Sequence, residues 1–287
     1  MRHVRMLGLC LVAAFAMSAV ATATASAALP EWGKCVKFVN QHGKGVGKYT
    51  DAGCTALAEP AKTGNFEFQN FKSIAAPEFT SHGGGATLEL LGGGIKTTCG
   101  AEEATGSLSG AKGVTGVEVI FKGCESNFGN LVCQNSLIPP LGSEPEGQIR
   151  TRRLKGSLGY ISKEGAPPVV GLNLEPEQKK GLFAEFICGG ILVVRVGQHQ
   201  TLGQPAGPGN DSIISPITPV DKMSVANTQT YSQEAGVQLP THFEGGKEDF
   251  LETEISDGFG EIPFTQSGQT LTTTNTLNSG EAIEIKA

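Results

Sequence analysis

The sequence predicts an all-β protein, an antiparallel sandwich or barrel-like assembly of many short strands braced by about three disulfides. Three observations carry this. Apolar residues recur with period two rather than at helical spacing. The 40 glycines and 15 prolines punctuate the chain too often for long helices. Six of the seven cysteines, Cys35, Cys54, Cys99, Cys124, Cys133 and Cys188, lie beyond an export-type leader, where an even number reads as a disulfide set.

The leader spans residues 1–27. Arg2, His3 and Arg5 give a basic start, an apolar run follows from Met6 to Val20, and Ala25-Ser26-Ala27 supplies small residues for cleavage. The run is shorter than the ~20 apolar residues of a spanning helix. Cys10 lies within it, after Leu9 and well upstream of the cleavage pattern, which argues against lipidation. The sequence therefore places the mature chain outside the cell, secreted or loosely associated with the wall, with no transmembrane anchor after residue 27. The whole chain carries −6 at neutral pH, and removal of Arg2 and Arg5 makes the remainder more acidic. This balance disfavours nucleic acid and charge-driven binding to an anionic membrane.

A disulfide-braced β region is assigned to residues 28–202. Lys34, Lys37, Lys44 and Lys48 make its start locally basic and are read as a solvated loop. Gly43-Lys44-Gly45-Val46-Gly47-Lys48 has the look of a phosphate loop, but His42 and Tyr49 stand where that motif needs Gly and Ser or Thr. Trp32 is expected to pack on the Cys35 disulfide, and the stretch from Thr55 to Ala58 is expected to form a short helical turn. The six cysteines allow about 15 pairings. The preferred set is Cys35–Cys54 and Cys124–Cys133, which close short loops, with Cys99–Cys188 joining two strand ends. Zinc is disfavoured, since no C-x-x-C and no His pair at ligand spacing occurs.

His82-Gly83-Gly84-Gly85 resembles the oxyanion-hole turn of some esterases. No G-x-S-x-G accompanies it, so it is read as a glycine-rich hairpin loop. Leu88 and Leu90, then Ile95, Thr97 and Cys99, form a hairpin around Gly92-Gly93-Gly94. Val117, Val119 and Phe121 alternate with Glu118, Ile120 and Lys122. Leu172 and Leu174 lead through a Pro-containing turn to Leu182, Ala184, Phe186 and Cys188. Leu192, Val194 and Val196 form another alternating strand. In each, apolar side chains face a core and polar ones face water.

Residues 203–211, Gly-Gln-Pro-Ala-Gly-Pro-Gly-Asn-Asp, form a Gly/Pro loop. The cysteine-free region 212–287 carries too few large apolar residues for its own core, so it is expected to pack on the first region as one domain. Leu251, Thr253 and Ile255 alternate there with Glu252 and Glu254. Leu271, Thr273, Asn275 and Leu277 sit in a Thr-rich run read as an edge or shallow layer. Ile283 and Ile285 flank Glu284.

Chemistry-bearing patterns are few. His42, His82, His199 and His242 lie in polar or Gly-rich settings and are read as loop residues. Glu248, Asp249, Glu252, Glu254 and Asp257 cluster in one segment, and a glycosidase needs two carboxyl groups across a cleft. A solvated acidic face is the preferred reading. No calcium-loop pattern is present, and no cofactor is implied.

Trp32-Gly33-Lys34-Cys35, Lys48-Tyr49-Thr50-Asp51-Ala52-Gly53-Cys54, Phe121-Lys122-Gly123-Cys124, Ile217-Thr218-Pro219-Val220-Asp221-Lys222-Met223 and Glu281-Ala282-Ile283-Glu284-Ile285 together resemble a group of uncharacterised secreted proteins of high-GC soil actinobacteria. The resemblance implies export and local cysteine pairs, and it transfers no catalytic residue. The functional expectation is an exported non-catalytic protein binding a cell-surface polymer or another protein. The alternative is an exported hydrolase with a carboxylate site.

Overall fold

A computed structural model describes residues 29–73, 77–135, 145–165, 167–178, 181–197, 212–246 and 248–287. The leader, Cys10, His199 and the 203–211 loop lie outside these residues.

The described chain is almost entirely antiparallel strand, closed into two rings under a small cap. The first ring runs β3 (Glu78–Gly83), β6 (Ala101–Ser109), β7 (Gly113–Lys122), β11 (Leu154–Ser162), β12 (Val169–Pro176), β15 (Ile213–Thr218), β16 (Ala226–Glu234) and β19 (Glu261–Leu277), then returns to β3. The second runs β4 (Ala86–Leu90), β5 (Lys96–Cys99), β8 (Glu125–Ser126), β9 (Leu131–Asn135), β13 (Leu182–Cys188), β14 (Leu192–Gly197), β18 (Leu251–Ser256) and β19, then returns to β4. Each ring holds eight strands. Closure leaves neither ring an open sheet edge.

The rings meet end to end because strands pass from one into the other. Two residues separate β3 from β4, and Gly100 alone separates β5 from β6. The 17-residue β19 belongs to both: its first part pairs with β18 and β4, its last part with β16 and β3. A short β10 (Gln148–Arg150) extends the first ring beside the end of β7. Asn135 ties β10 to the second ring. Its side chain accepts from the Arg150 N–H at 2.6 Å and donates to the Arg150 and Glu185 carbonyls at 3.0 and 3.3 Å.

Alternation along the strands sorts the faces. Leu271, Thr273, Asn275 and Leu277 point inward, and Thr272, Thr274 and Thr276 outward. In β6, Glu102, Ala104 and Leu108 are inside, while Glu103 and Thr105 are outside. Charged pairs decorate the outer wall, among them Lys122–Glu103 at 2.6 Å and Arg153–Glu118 at 3.0 Å.

The cap is the sheet β2 (Phe66–Asn70), β1 (Glu31–Lys37) and β20 (Glu284–Lys286). Trp32 and Ile285, register partners, point into the end of the first ring. The Trp32 indole N–H donates to the Lys112 carbonyl at 3.2 Å.

Several expectations need correction. Cys35–Cys54 is bonded as expected, but the other bridges are Cys99–Cys124 and Cys133–Cys188. Loop length misled the assignment, because strand adjacency decides which sulfurs meet. Cys133 and Cys188 are direct register partners of β9 and β13. Cys99 and Cys124 lie level between the Thr98–Glu125 pairing and the Gly100–Lys122 hydrogen bond. Trp32 does not pack on the Cys35 disulfide; three positions apart on one strand, the two face opposite sides. The Thr-rich run is no edge: as part of β19 it pairs on both sides. His82 and Gly83 lie in β3, and the chain runs on into β4 without a hairpin reversal. Thr55–Ala58 is not helical; the one helical turn among the described residues is the 3-10 segment Phe71–Ser73. Glu284, between Ile283 and Ile285, is itself fully buried.

Candidate functional site

Where the two rings join, the barrel encloses a cavity of about 110 Å³, lined by residues of both rings. Most of the lining is aliphatic or aromatic. Val117, Val119 and Phe121 come from β7, Leu172 from β12, Phe186 from β13 and Leu271 from β19. These are the inward members of the alternating strands.

One group of polar side chains surrounds the carboxylate of the lining. The Thr273 hydroxyl donates to a Glu102 carboxylate oxygen at 2.6 Å, and the Ser81 and Thr273 hydroxyls are hydrogen-bonded to each other. Beside them the Tyr231 and Ser215 hydroxyls both donate to Gln229 Oε1 at 3.0 Å. Glu102 is 2% exposed. Loss of hydration raises its pKa above the ordinary carboxylate value, a shift opposed by the Thr273 hydrogen bond. Burial also raises the pKa of the Tyr231 phenol.

Backbone geometry makes room for the carboxyl group. A Cβ on Gly83 would stand 2.7 Å from Glu102 Oε2, 2.8 Å from Leu271 Cδ1 and 3.1 Å from the Thr272 carbonyl oxygen. Only glycine fits at that point without displacing the acid. Gly83 was visible in the sequence as part of a false oxyanion motif. Its role is to leave space for a side chain 19 positions away on the neighbouring strand.

The residues singled out in the sequence do not assemble into a catalytic set. His42, His82 and His242 are exposed and sit on separate elements. Asp249 is buried and accepts from Ser212 Oγ, Glu248 is exposed, and Asp257 accepts from the Phe259 and Gly260 N–H groups in the β18–β19 turn. Glu252 and Glu254 share the outer face of β18. Glu254 and Glu185 clamp the Arg195 guanidinium at 2.7 and 2.8 Å, and these hydrogen bonds raise the Arg195 pKa. Lys34 pairs with Glu281 at 2.7 Å, and Lys48 lies 5.4 Å from the Tyr49 ring centre. Among the described residues, Glu102 is the only carboxylate in the cavity lining. Three metal-ligating side chains converge at one place among the described residues, Cys35, Cys54 and Glu284, where the two sulfurs are bonded to each other.

Sequence reasoning missed Glu102. The signal was present: in Ala101-Glu102-Glu103-Ala104 through Leu108, period two puts Glu102, Ala104 and Leu108 on one face.

No protein-family model, no curated protein and no solved structure matches this chain.

The site has the features of a small-molecule pocket. It offers an apolar wall, one carboxyl group whose pKa is raised by burial, and the hydrogen-bonded hydroxyls of Ser81 and Thr273 beside it. A neutral carboxyl can donate a hydrogen bond as well as accept one.

Proposed function

We propose that this is an exported, non-catalytic binding protein that holds a small, largely apolar molecule inside its barrel. The observation that carries the reading is the interior cavity of about 110 Å³ with Glu102 as its one carboxyl group among the described residues. An apolar cavity of about 150 Å³ accepts benzene, so the size suits a single ring or a short aliphatic chain. Apolar walls with a few convergent polar groups are the usual composition of a small-molecule site. The ligand would carry one hydrogen-bonding group, a hydroxyl or carbonyl, to meet Glu102.

Export is supported by the leader pattern and by three disulfides, which persist in oxidising compartments. The outer wall bears Thr and charged side chains, where a lipid-facing barrel would present an apolar band. The reading moves binding from a surface polymer to the interior. A hydrolase has less support, because Glu185 and Glu254 are neutralised by the guanidinium between them.

The test is organic extraction of the natively purified secreted protein, followed by mass spectrometry of the extract. The expected result is a small molecule present at a fixed ratio to the chain and lost from an Ala104→Leu variant, whose longer side chain fills the cavity. An extract identical for both proteins, together with failure of the wild type to bind ring-sized apolar probes, would overturn the proposal.

A further inference from the structure

We propose that Cys35–Cys54 is a thiol–disulfide exchange site, in which Glu284 donates a proton to the departing Cys54 sulfur. This goes beyond the ligand-binding reading and does not depend on it, since the cavity and the cap are separate.

In the cap, Glu284 of β20 lies opposite Gly33 of β1, and Lys286 opposite Glu31. Ile285 faces the barrel, so Glu284 and Lys286 face the other way, under the N-terminal loops. Glu284 has no solvent exposure, and neither carboxylate oxygen has a hydrogen-bond partner. One of its oxygens lies within 4.8 Å of both sulfurs. A fully buried acid without hydrogen bonds, placed against a disulfide, is costly, and a functional site is one reason a protein retains such a group.

The surrounding charges leave Glu284 poorly neutralised. Lys286 Nζ stands 3.4 Å from Glu284 Oε1, but it is closer to Asp221 Oδ1, at 2.7 Å, and donates to the Cys54 carbonyl at 2.9 Å. The same ammonium lies over the Tyr49 ring. Asp221 and Asp51 add negative charge, and Glu31 sits on the adjoining strand. Desolvation raises the Glu284 pKa, opposed by Lys286 and reinforced by Asp221 and Asp51.

The two sulfurs are unequal. Cys54 is fully buried, whereas Cys35 is half-buried and is the accessible target. The thiolate of a small thiol attacks Cys35 Sγ. A mixed disulfide forms, the Cys35–Cys54 bond breaks, and its electron pair passes to Cys54 Sγ. The Glu284 carboxyl protonates that sulfur, because a bare thiolate there would be buried beside acids. A second thiol, as thiolate, attacks the mixed disulfide and releases Cys35 as a thiolate; water supplies the proton that Cys35 takes up and the one that restores Glu284. Two thiols become one disulfide, and the protein disulfide becomes two thiols. Cys124, Cys133 and Cys188 are fully buried in the barrel, and Cys99, half-buried like Cys35, lines the interior cavity. Among the described residues no such carboxyl lies against their bridges.

The experiment treats the full chain with dithiothreitol from about pH 5 to pH 8, quenches by alkylation and maps the peptides. Cys35–Cys54 is expected to open at least about tenfold faster than Cys99–Cys124 and Cys133–Cys188. The opening rate of wild type is then divided by that of Glu284→Gln at each pH, which cancels the reagent's own ionisation. The ratio is expected to be largest in acid and to fall toward one as Glu284 ionises, with Glu284→Asp in between. Core bridges that open as fast as Cys35–Cys54, or a ratio that does not change with pH, would overturn the proposal. If Glu284→Gln does not fold, the order of opening in wild type and the pH profile of Glu284→Asp decide the question.

Discussion

Glu102 and Thr273, 171 positions apart in the chain, meet inside the barrel, where the threonine hydroxyl donates to the carboxylate at 2.6 Å. The contact joins β6 to β19 across the intervening β3. Burial at that place favours the neutral form of the acid, and the threonine hydrogen bond opposes the shift.

That setting has a pH consequence. Because burial raises the folded-state pKa of Glu102 above its usual value of 4.5, the neutral acid is the form the fold prefers. Its contribution is fully present below the unfolded-state pKa and is lost as pH rises through the folded-state pKa. Each pKa unit of difference is worth about 1.4 kcal/mol. Glu102→Gln is therefore expected to gain stability relative to wild type between acid and neutral pH. Urea midpoints at pH 4 and pH 7 check the sign; a variant-minus-wild-type difference that falls from pH 4 to pH 7 refutes it.

Gly83→Ala should disturb the site more than its size suggests. The added methyl group would press on Glu102, Leu271 and the Thr272 carbonyl at once. Overpacking of this kind costs about 1–3 kcal/mol. Chemical denaturation is expected to show that loss, and apolar probe binding is expected to weaken with it. Gly84→Ala, where the added atom meets nothing within 4 Å, is the control and should leave probe binding unchanged.

The barrel bridges offer a sharper check of topology. Peptide mapping under non-reducing conditions is expected to recover Cys99–Cys124 and Cys133–Cys188. On the chain-entropy account a bridge spanning 55 residues, as Cys133–Cys188 does, stabilises by about 4 kcal/mol. Replacing both of its cysteines with alanine should lower the denaturant midpoint accordingly.

What was legible in the sequence was the strand, not the closure. Val117, Val119 and Phe121, or Leu192, Val194 and Val196, announce an inward face by alternation alone. The Thr-rich β19 hid its central position because sequence ranks burial by apolar content. Inside this barrel Thr273 instead satisfies Glu102 by hydrogen bonding. Disulfide partners were illegible for a related reason: Cys133 faces Cys188 through a register that loop length does not encode. The cavity itself belongs to no segment, since it arises only when two rings meet.

On the outer wall, Arg195 holds Glu185 and Glu254, whose side chains are 13% and 12% exposed. Arg195→Met leaves two neighbouring carboxylates without their shared cation. A loss of roughly 2–3 kcal/mol is expected, less than for a fully buried pair because the guanidinium is partly exposed. Thermal unfolding at neutral pH measures it, and Glu185→Gln in the Arg195→Met background should restore part of the loss.

The interior binding site is tested most directly by calorimetric titration of a single-ring probe, such as phenol, into wild type and Ala104→Leu in parallel. The account expects saturable binding with one molecule per chain in wild type and none in the folded variant. Equal binding by both proteins, or no binding by a wild type shown to be free of copurified ligand, would contradict it.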